Sequence, residues 1–198
     1  DAAGDLFALT RAMTSAAGLP AYEISNHARA HEESRHNLVY WRYQDYAGIG
    51  PGAHGRRGGF ATVRHRKPEN FLKAVSAQHH GIAEIRELGT REQAAEAILM
   101  GLRLGEGISP ATLAQRFGLA EADLIDPAKR AFYTEQGLLT GHADRLIVTE
   151  AGMPLLDGLL ADADLAMAEQ SDIVTAAYGG DRDLRFGPEY LIPKPFDP

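Results

Sequence analysis

The chain contains no cysteine. That absence excludes disulfides, thiolate metal ligands and cysteine-bound iron–sulfur clusters built from these residues alone. It also lacks any run of 18 apolar residues, so no segment reads as a membrane-spanning helix. The opening DAAGDLFALTRAM has neither the basic start nor the apolar stretch of a signal peptide. Without cysteines, spans or leader, the expected compartment is the cytoplasm. The sequence does not begin with methionine, and it is expected to be a piece of a longer protein. Tryptophan occurs once, at Trp41, and no internal repeat is visible. What is present is 198 residues with 44% apolar content, enough for one medium domain or two small ones.

Charge is unevenly spread. The net charge is −7, yet the stretch from His27 to His80 holds nine Lys/Arg against four acids. The remainder therefore carries −12. Seven of the eight histidines fall in that basic stretch. A basic, histidine-rich island in an acidic chain suits an anionic ligand, and equally a solvated surface facing an acidic partner domain.

Periodicity predicts a helix over 5–18, with Leu6, Leu9, Thr10 and Met13 on one face. A Gly-Pro stop then leads into a short strand at 21–25, which is half of a βα repeat. A second short strand is expected at 45–50 and a β segment at 59–65. Pro68 opens a helix carrying Phe71, Leu72 and Val75. Thr90 and Gln93 form a capping-box pattern ahead of a helix whose Ala94, Ile98 and Leu102 share a face, with Gly105 and Gly107 ending it. Ser109-Pro110 and Asp126-Pro127 start two more helices, closed by Gly118 and Gly137. Residues 138–149 read as a hairpin turning at Gly141–Asp144. Thr149 caps a last helix. Three helices, a hairpin and a helix is the pattern of a winged helix. From Thr90 to Leu165, however, twelve acids face six Lys/Arg, which argues against DNA binding and for a structural or docking role. No nucleic-acid partner is expected.

Three features could carry chemistry. GPGAHG, Gly50 to Gly55, formally matches the dinucleotide-binding glycine pattern, but RRGGFATV follows where a helix should open. A tight turn and a loop that lets backbone approach a ligand both remain open. His27, His31 and His36, with Glu32 or Glu33, have the residue types of a zinc site but no firm helix to fix them. His36 beside Tyr40 and Trp41 supplies an imidazole suited to haem iron and flat rings for an apolar slot; a packed aromatic cluster with a hydrogen-bonded histidine fits the same residues.

YEISNHA at 22–28, SRHNLVYW at 34–41 and DYAGIGPGAHG at 45–55, in that order, resemble the radical SAM proteins related to oxygen-independent coproporphyrinogen III oxidase, in their bacterial haem chaperone branch. EAILMGLRLGEGIS (96–109), QGLL (136–139) and LIVTEAG (146–152) match that family's C-terminal domain. The resemblance covers roughly residues 1–162. It implies an α/β fold: the C-terminal remnant of a partial TIM-type barrel and its extension over 1–88, then a small winged-helix-like α+β domain over 89–162. It implies S-adenosylmethionine and a [4Fe–4S] cluster in the full-length family. The cluster motif C-x-x-x-C-x-x-C is absent here, so no catalytic residue is assigned.

The H-N-x-x-Y-W motif of the chaperone branch is implicated in haem binding and falls on His36, Asn37, Tyr40 and Trp41. His36 is thereby the candidate iron contact, with Tyr40 and Trp41 against the macrocycle and Arg35 and Arg42 as candidates for the propionates. The glycine loop, with Gly48, Ile49, Gly50, Gly52 and His54, is implied to face the cofactor side. The implied function is haem binding and delivery to an acceptor protein. The alternatives are the oxidase of anaerobic porphyrin biosynthesis and a non-catalytic docking piece. Residues 163–198 depart from this family. FGPEYLIPKPFDP, 186–198, resembles a segment near the C-terminus of NAD(P)-dependent malic enzymes, and the proline-rich tail is expected to be extended. A chain missing most of a barrel is also expected to expose apolar faces and self-associate.

Overall fold

The computed structural model describes residues 2–162; the malic-enzyme-like tail expected at 163–198 lies outside the described residues. The fold is mixed helix and strand, and its architecture follows from local stop signals. Helix α1 (Ala2–Ala16) ends ahead of Gly18-Leu19-Pro20. The apolar residues that its period places together are not covered: Leu6, Leu9 and Met13 are among the exposed large hydrophobics.

The strand expected at 21–25 is a tight reversal instead. The Tyr22 amide donates to the Asn26 carbonyl, Ala21 pairs with His27, and Glu23 pairs with Leu104. Too few residues stay extended before the chain turns back for a ladder to form. Helix α2 (Arg35–Trp41) follows, capped by the Ser34 hydroxyl, which accepts from the Asn37 amide. The strand expected at 45–50 likewise shrinks to a single pair, Tyr46 with Arg56.

Strands β1 (His54–Arg57) and β2 (Phe60–Arg64) form a hairpin closed by Gly58-Gly59, at φ 56° and 81°. Two consecutive positive φ values are what a twisted two-residue hairpin turn demands, and glycine meets that demand without strain. Helix α3 (Pro68–Gln78) leads to β3 (Ile82–Glu87), which pairs antiparallel with β2. The sheet order is β1-β2-β3.

Helix α4 (Thr90–Gly101) is the centre of the molecule. Its cap is Gly89, not Thr90; Gln93 instead donates from its side chain to the Leu88 carbonyl. The helix stops at Gly101, before the expected Gly105 and Gly107. Ala94 through Ile98 are buried without interruption, so α4 is surrounded rather than one-sided. Helix α5 (Pro110–Phe117) starts at Ser109, whose hydroxyl accepts from Thr112, and ends on left-handed Gly118, as expected. A short helix α6 (Glu121–Leu124) intervenes. Helix α7 (Pro127–Glu135) is capped by the Asp126 carboxylate, which accepts from the Ala128 and Lys129 amides.

Strands β4 (Leu139–His142) and β5 (Arg145–Val148) make the expected hairpin. Ile108 exchanges backbone hydrogen bonds with Leu146 in both directions, at 2.9 and 2.8 Å, adding a third strand-like edge. A 3-10 turn (Met153–Leu155) leads into α8 (Leu156–Asp162), with the Thr149 hydroxyl accepting from the Gly152 amide. The main core joins Ile98 of α4 and Leu102, its C-cap, to Ile108, Leu146, Val148, Met153 and Leu156, all buried. Ile24 reaches into it from the N-terminal side.

Candidate functional site

Helix α2 divides the motif residues between two faces. His36 and Tyr40 stand four residues apart and therefore on one side. The Tyr40 hydroxyl lies 3.2 Å from His36 Nε2, and their rings meet edge-on at 4.8 Å. His36 is exposed. Asn37 and Trp41, also four apart, face inward. The Asn37 amide donates to the Tyr22 hydroxyl at 3.3 Å. Trp41 packs against Tyr43, Ala97 and Met100, with the Arg103 guanidinium 5.9 Å from its ring. Arg42 is engaged by Glu106 through two hydrogen bonds at 2.9 and 3.0 Å, while Arg35 is exposed.

The glycine loop is joined to this helix by one ring contact. Tyr46, at the base of the loop, meets Tyr40 edge-on at 4.4 Å. The loop is closed where Tyr46 and Arg56 exchange backbone hydrogen bonds, at 2.7 and 3.0 Å. Close backbone approach explains two of its glycines. A Cβ on Gly48 would sit 2.3 Å from the His54 carbonyl oxygen, and one on Gly55 would sit 3.1 Å from the Gly48 nitrogen. Gly50 and Gly52 take positive φ. Arg64 donates from its guanidinium to the Gly48 carbonyl, bracing the loop from β2. Ile49 projects from it, 90% exposed, and His54 opens β1 half-buried. The third glycine of GPGAHG thus lies in a strand, not at a helix N-terminus, so the dinucleotide geometry is not formed.

Beneath these two elements lies a polar cluster that sequence reasoning missed. Arg56 grips Glu96 of α4 with two hydrogen bonds, 3.0 and 2.9 Å long, and both side chains are buried. The Tyr43 hydroxyl donates to the same carboxylate at 2.6 Å. Burial opposes the Arg56 charge, but its hydrogen bonds and attraction to Glu96 outweigh that and raise its pKa. Burial, and then the bond to Glu96, hold the Tyr43 phenol well above the ordinary tyrosine range. Burial also raises Tyr46. Tyr43 adopts φ 49°, a left-handed conformation that costs a non-glycine residue about 1–3 kcal/mol unless its surroundings impose it. The available signal was an acid, Glu96, set among small apolar residues at 94–98.

The histidines do not converge. His27 Nδ1 lies 2.9 Å from the Thr14 hydroxyl. Among the described residues no three His, Cys, Asp or Glu side chains are grouped to hold a metal ion. No described helix is long and apolar enough to cross a membrane.

Comparison with known proteins gives the same direction. Residues 88–155 match the HemN C-terminal domain. The chain is 34% identical over 152 residues to the heme chaperone HemW of Bacillus subtilis (strain 168), covering 70% of this chain and 40% of that protein. It is 33% identical over 174 residues to the heme chaperone HemW of Escherichia coli (strain K12), covering 85% and 43%. In fold it resembles the Escherichia coli coproporphyrinogen III oxidase HemN, a radical SAM enzyme, with a TM-score of 0.62 at 17% identity, covering 79% of this chain and 39% of that one. In fold, then, the chain is similar to a radical SAM coproporphyrinogen III oxidase. In sequence it is similar to proteins named heme chaperones. The chain spans about two fifths of the length of the curated relatives it matches, 40% and 43% in these two cases.

Proposed function

We propose that these residues form the haem-handling part of a haem chaperone that passes its cargo to an acceptor protein. The observation that carries this is the exposed His36 paired with half-buried Tyr40, standing beside Tyr46 and the glycine loop in a chain similar to haem chaperones. The donor set fits the cargo. An exposed imidazole is a ready axial ligand for haem iron, and the tyrosine rings offer flat apolar surface beside it. In this reading His36 contacts iron and Tyr40 lies against the macrocycle. Asn37 and Trp41 hold α2 in place, and Arg35 is free to meet a propionate while Arg42 is occupied by Glu106.

We further read residues 1–88 as the end of a partial TIM-type barrel with its extension, and 89–162 as a winged-helix-like domain. S-adenosylmethionine and a [4Fe–4S] cluster belong to the family's full-length proteins. The cluster thiolates would come from residues other than these, since no cysteine is present. Gly48, Ile49, Gly50, Gly52 and His54 would then line the cofactor side. A cytoplasmic setting and the lack of a nucleic-acid partner complete the reading, the latter supported by the excess of acids after Thr90.

The oxidase reading rests on fold likeness at 17% identity, whereas the chaperones stand at 33–34%. Haem titration into the protein and its His36→Ala variant tests the proposal. The expected result is weakened binding with a shifted Soret band. Unchanged affinity and spectrum would remove His36 from the site.

A further inference from the structure

We propose that Tyr43 is a positioning residue, through which the C-terminal helices set the angle of α2 and of the His36–Tyr40 face it carries. The identity of the cargo rests on the haem reading above; the mechanical role does not. Tyr43 follows the cap residue of α2, and its amide donates to the Tyr40 carbonyl at 2.9 Å, so it closes the helix on the very residue that pairs with His36. Its left-handed conformation persists where neighbours over-determine it.

Three tethers from two other helices do so. The hydroxyl is held by Glu96 of α4 at 2.6 Å. The carbonyl accepts from the Arg116 guanidinium of α5 at 2.7 Å. The ring lies 5.4 Å from that same guanidinium and 6.4 Å from the Phe117 ring. Glu96 Oε2 also receives Arg56 Nε, and Arg56 closes the glycine loop by its backbone pairing with Tyr46. One carboxylate therefore fixes both the end of α2 and the base of the loop. The Tyr40–Tyr46 ring contact is set by that common anchor. Tyr43 and Glu96 are both buried, so neither reaches a ligand directly.

The test is hydrogen exchange in the longest natural polypeptide that carries these residues, read on peptides covering 35–42 and 139–148. Tyr43→Phe removes the hydroxyl tether, and Arg116→Ala removes the carbonyl tether and the guanidinium beside the ring while leaving the Tyr43 side chain itself in place. Each is expected to speed exchange across α2 about five- to tenfold while leaving the β4–β5 hairpin unchanged. Haem affinity should fall with it, and the Soret band should move toward that of His36→Ala. Glu96→Gln, which still accepts the phenol hydrogen bond, should loosen α2 less than Glu96→Ala. Unchanged α2 exchange in both tether variants overturns the proposal, as does equal acceleration in the hairpin. If wild-type protein binds no haem yet α2 loosens, the positioning role stands and the haem reading falls. If His36→Ala weakens haem binding while both tether variants leave it and α2 unchanged, the positioning role falls and the haem reading stands.

Discussion

Every member of the main buried cluster except Ile24 lies between Ala94 and Leu159. Across residues 2–87 the picture is different: α1 has no buried residue, α2 has none, and α3 buries only Ala74. The C-terminal stretch is held by apolar packing of its own. The N-terminal stretch is held to it by polar links, the Arg56–Glu96 pair, the Arg42–Glu106 pair and the Glu23–Leu104 bridge, and by local apolar contacts, Ile24 and Phe7 on the main core and Trp41 and Tyr43 against Ala97 and Met100. Apolar packing dominates one region, while the other joins it through directional bonds and a few apolar contacts together.

The comparison can be broken hardest at the buried ion pair. Arg56→Ala leaves the Glu96 carboxylate buried beside only the Tyr43 hydroxyl and should cost about 3–5 kcal/mol. Urea unfolding followed by hydrogen exchange should show the loss concentrated in 35–64. Leu102→Ala opens a cavity in the shared core and should cost about 2–5 kcal/mol. Here the loss should spread to the β4–β5 hairpin, and thermal unfolding with far-UV circular dichroism would report it. If both variants lost protection over the same residues, the two regions would be one cooperative unit.

The tyrosines sharpen the contrast through pH. Burial holds the Tyr43 and Tyr46 phenols above their ordinary value of 10.0. The folded chain therefore keeps protons that the unfolded chain releases. Stability is complete below about pH 10 and falls as pH rises further, at a limit of about 1.4 kcal/mol per pH unit for each phenol. Thermal midpoints measured between about pH 8 and 11 should show this fall, and Tyr43→Phe should flatten it. Smaller still, Arg42→Ala removes an exposed pair and should change stability by less than about 1 kcal/mol, an effect that added salt erases. Lysine at Leu6, Leu9 and Met13 should alter stability by about 0.5 kcal/mol or less each, yet reduce self-association seen by light scattering.

Local chemistry was the part written plainly in the sequence. Ser109-Pro110, Asp126-Pro127, Gly118 and Gly137 bound their helices because a cap acts within a few residues. The hairpin at 139–148 followed from the same kind of signal. Thr90 misled because Gly89 could serve as the cap while Gln93 turned to Leu88. The segments at 21–25 and 45–50 misled because a strand needs a neighbour, and each found only a single pairing residue. The order of the motifs pointed to α2 and the glycine loop. It could not show that Asn37 and Trp41 meet Tyr22 and the Ala97–Met100 cluster while His36 stays exposed beside half-buried Tyr40. Nor could it join Arg56 and Tyr43 to Glu96, 40 and 53 residues away, since polar pairs at that separation leave no period to read.

The inward half of α2 has an optical consequence. The Trp41 indole nitrogen is buried and, among the described residues, has no hydrogen-bond partner. An indole excited in such surroundings cannot relax against water and emits toward the blue. Trp41 is the only tryptophan of these 198 residues, and it shares a short helix with His36. Its emission colour therefore reports the seating of that helix without any added label. If a porphyrin binds on the opposite face as proposed, it would drain that emission by energy transfer, so one native side chain would register both the posture of the helix and the proposed ligand.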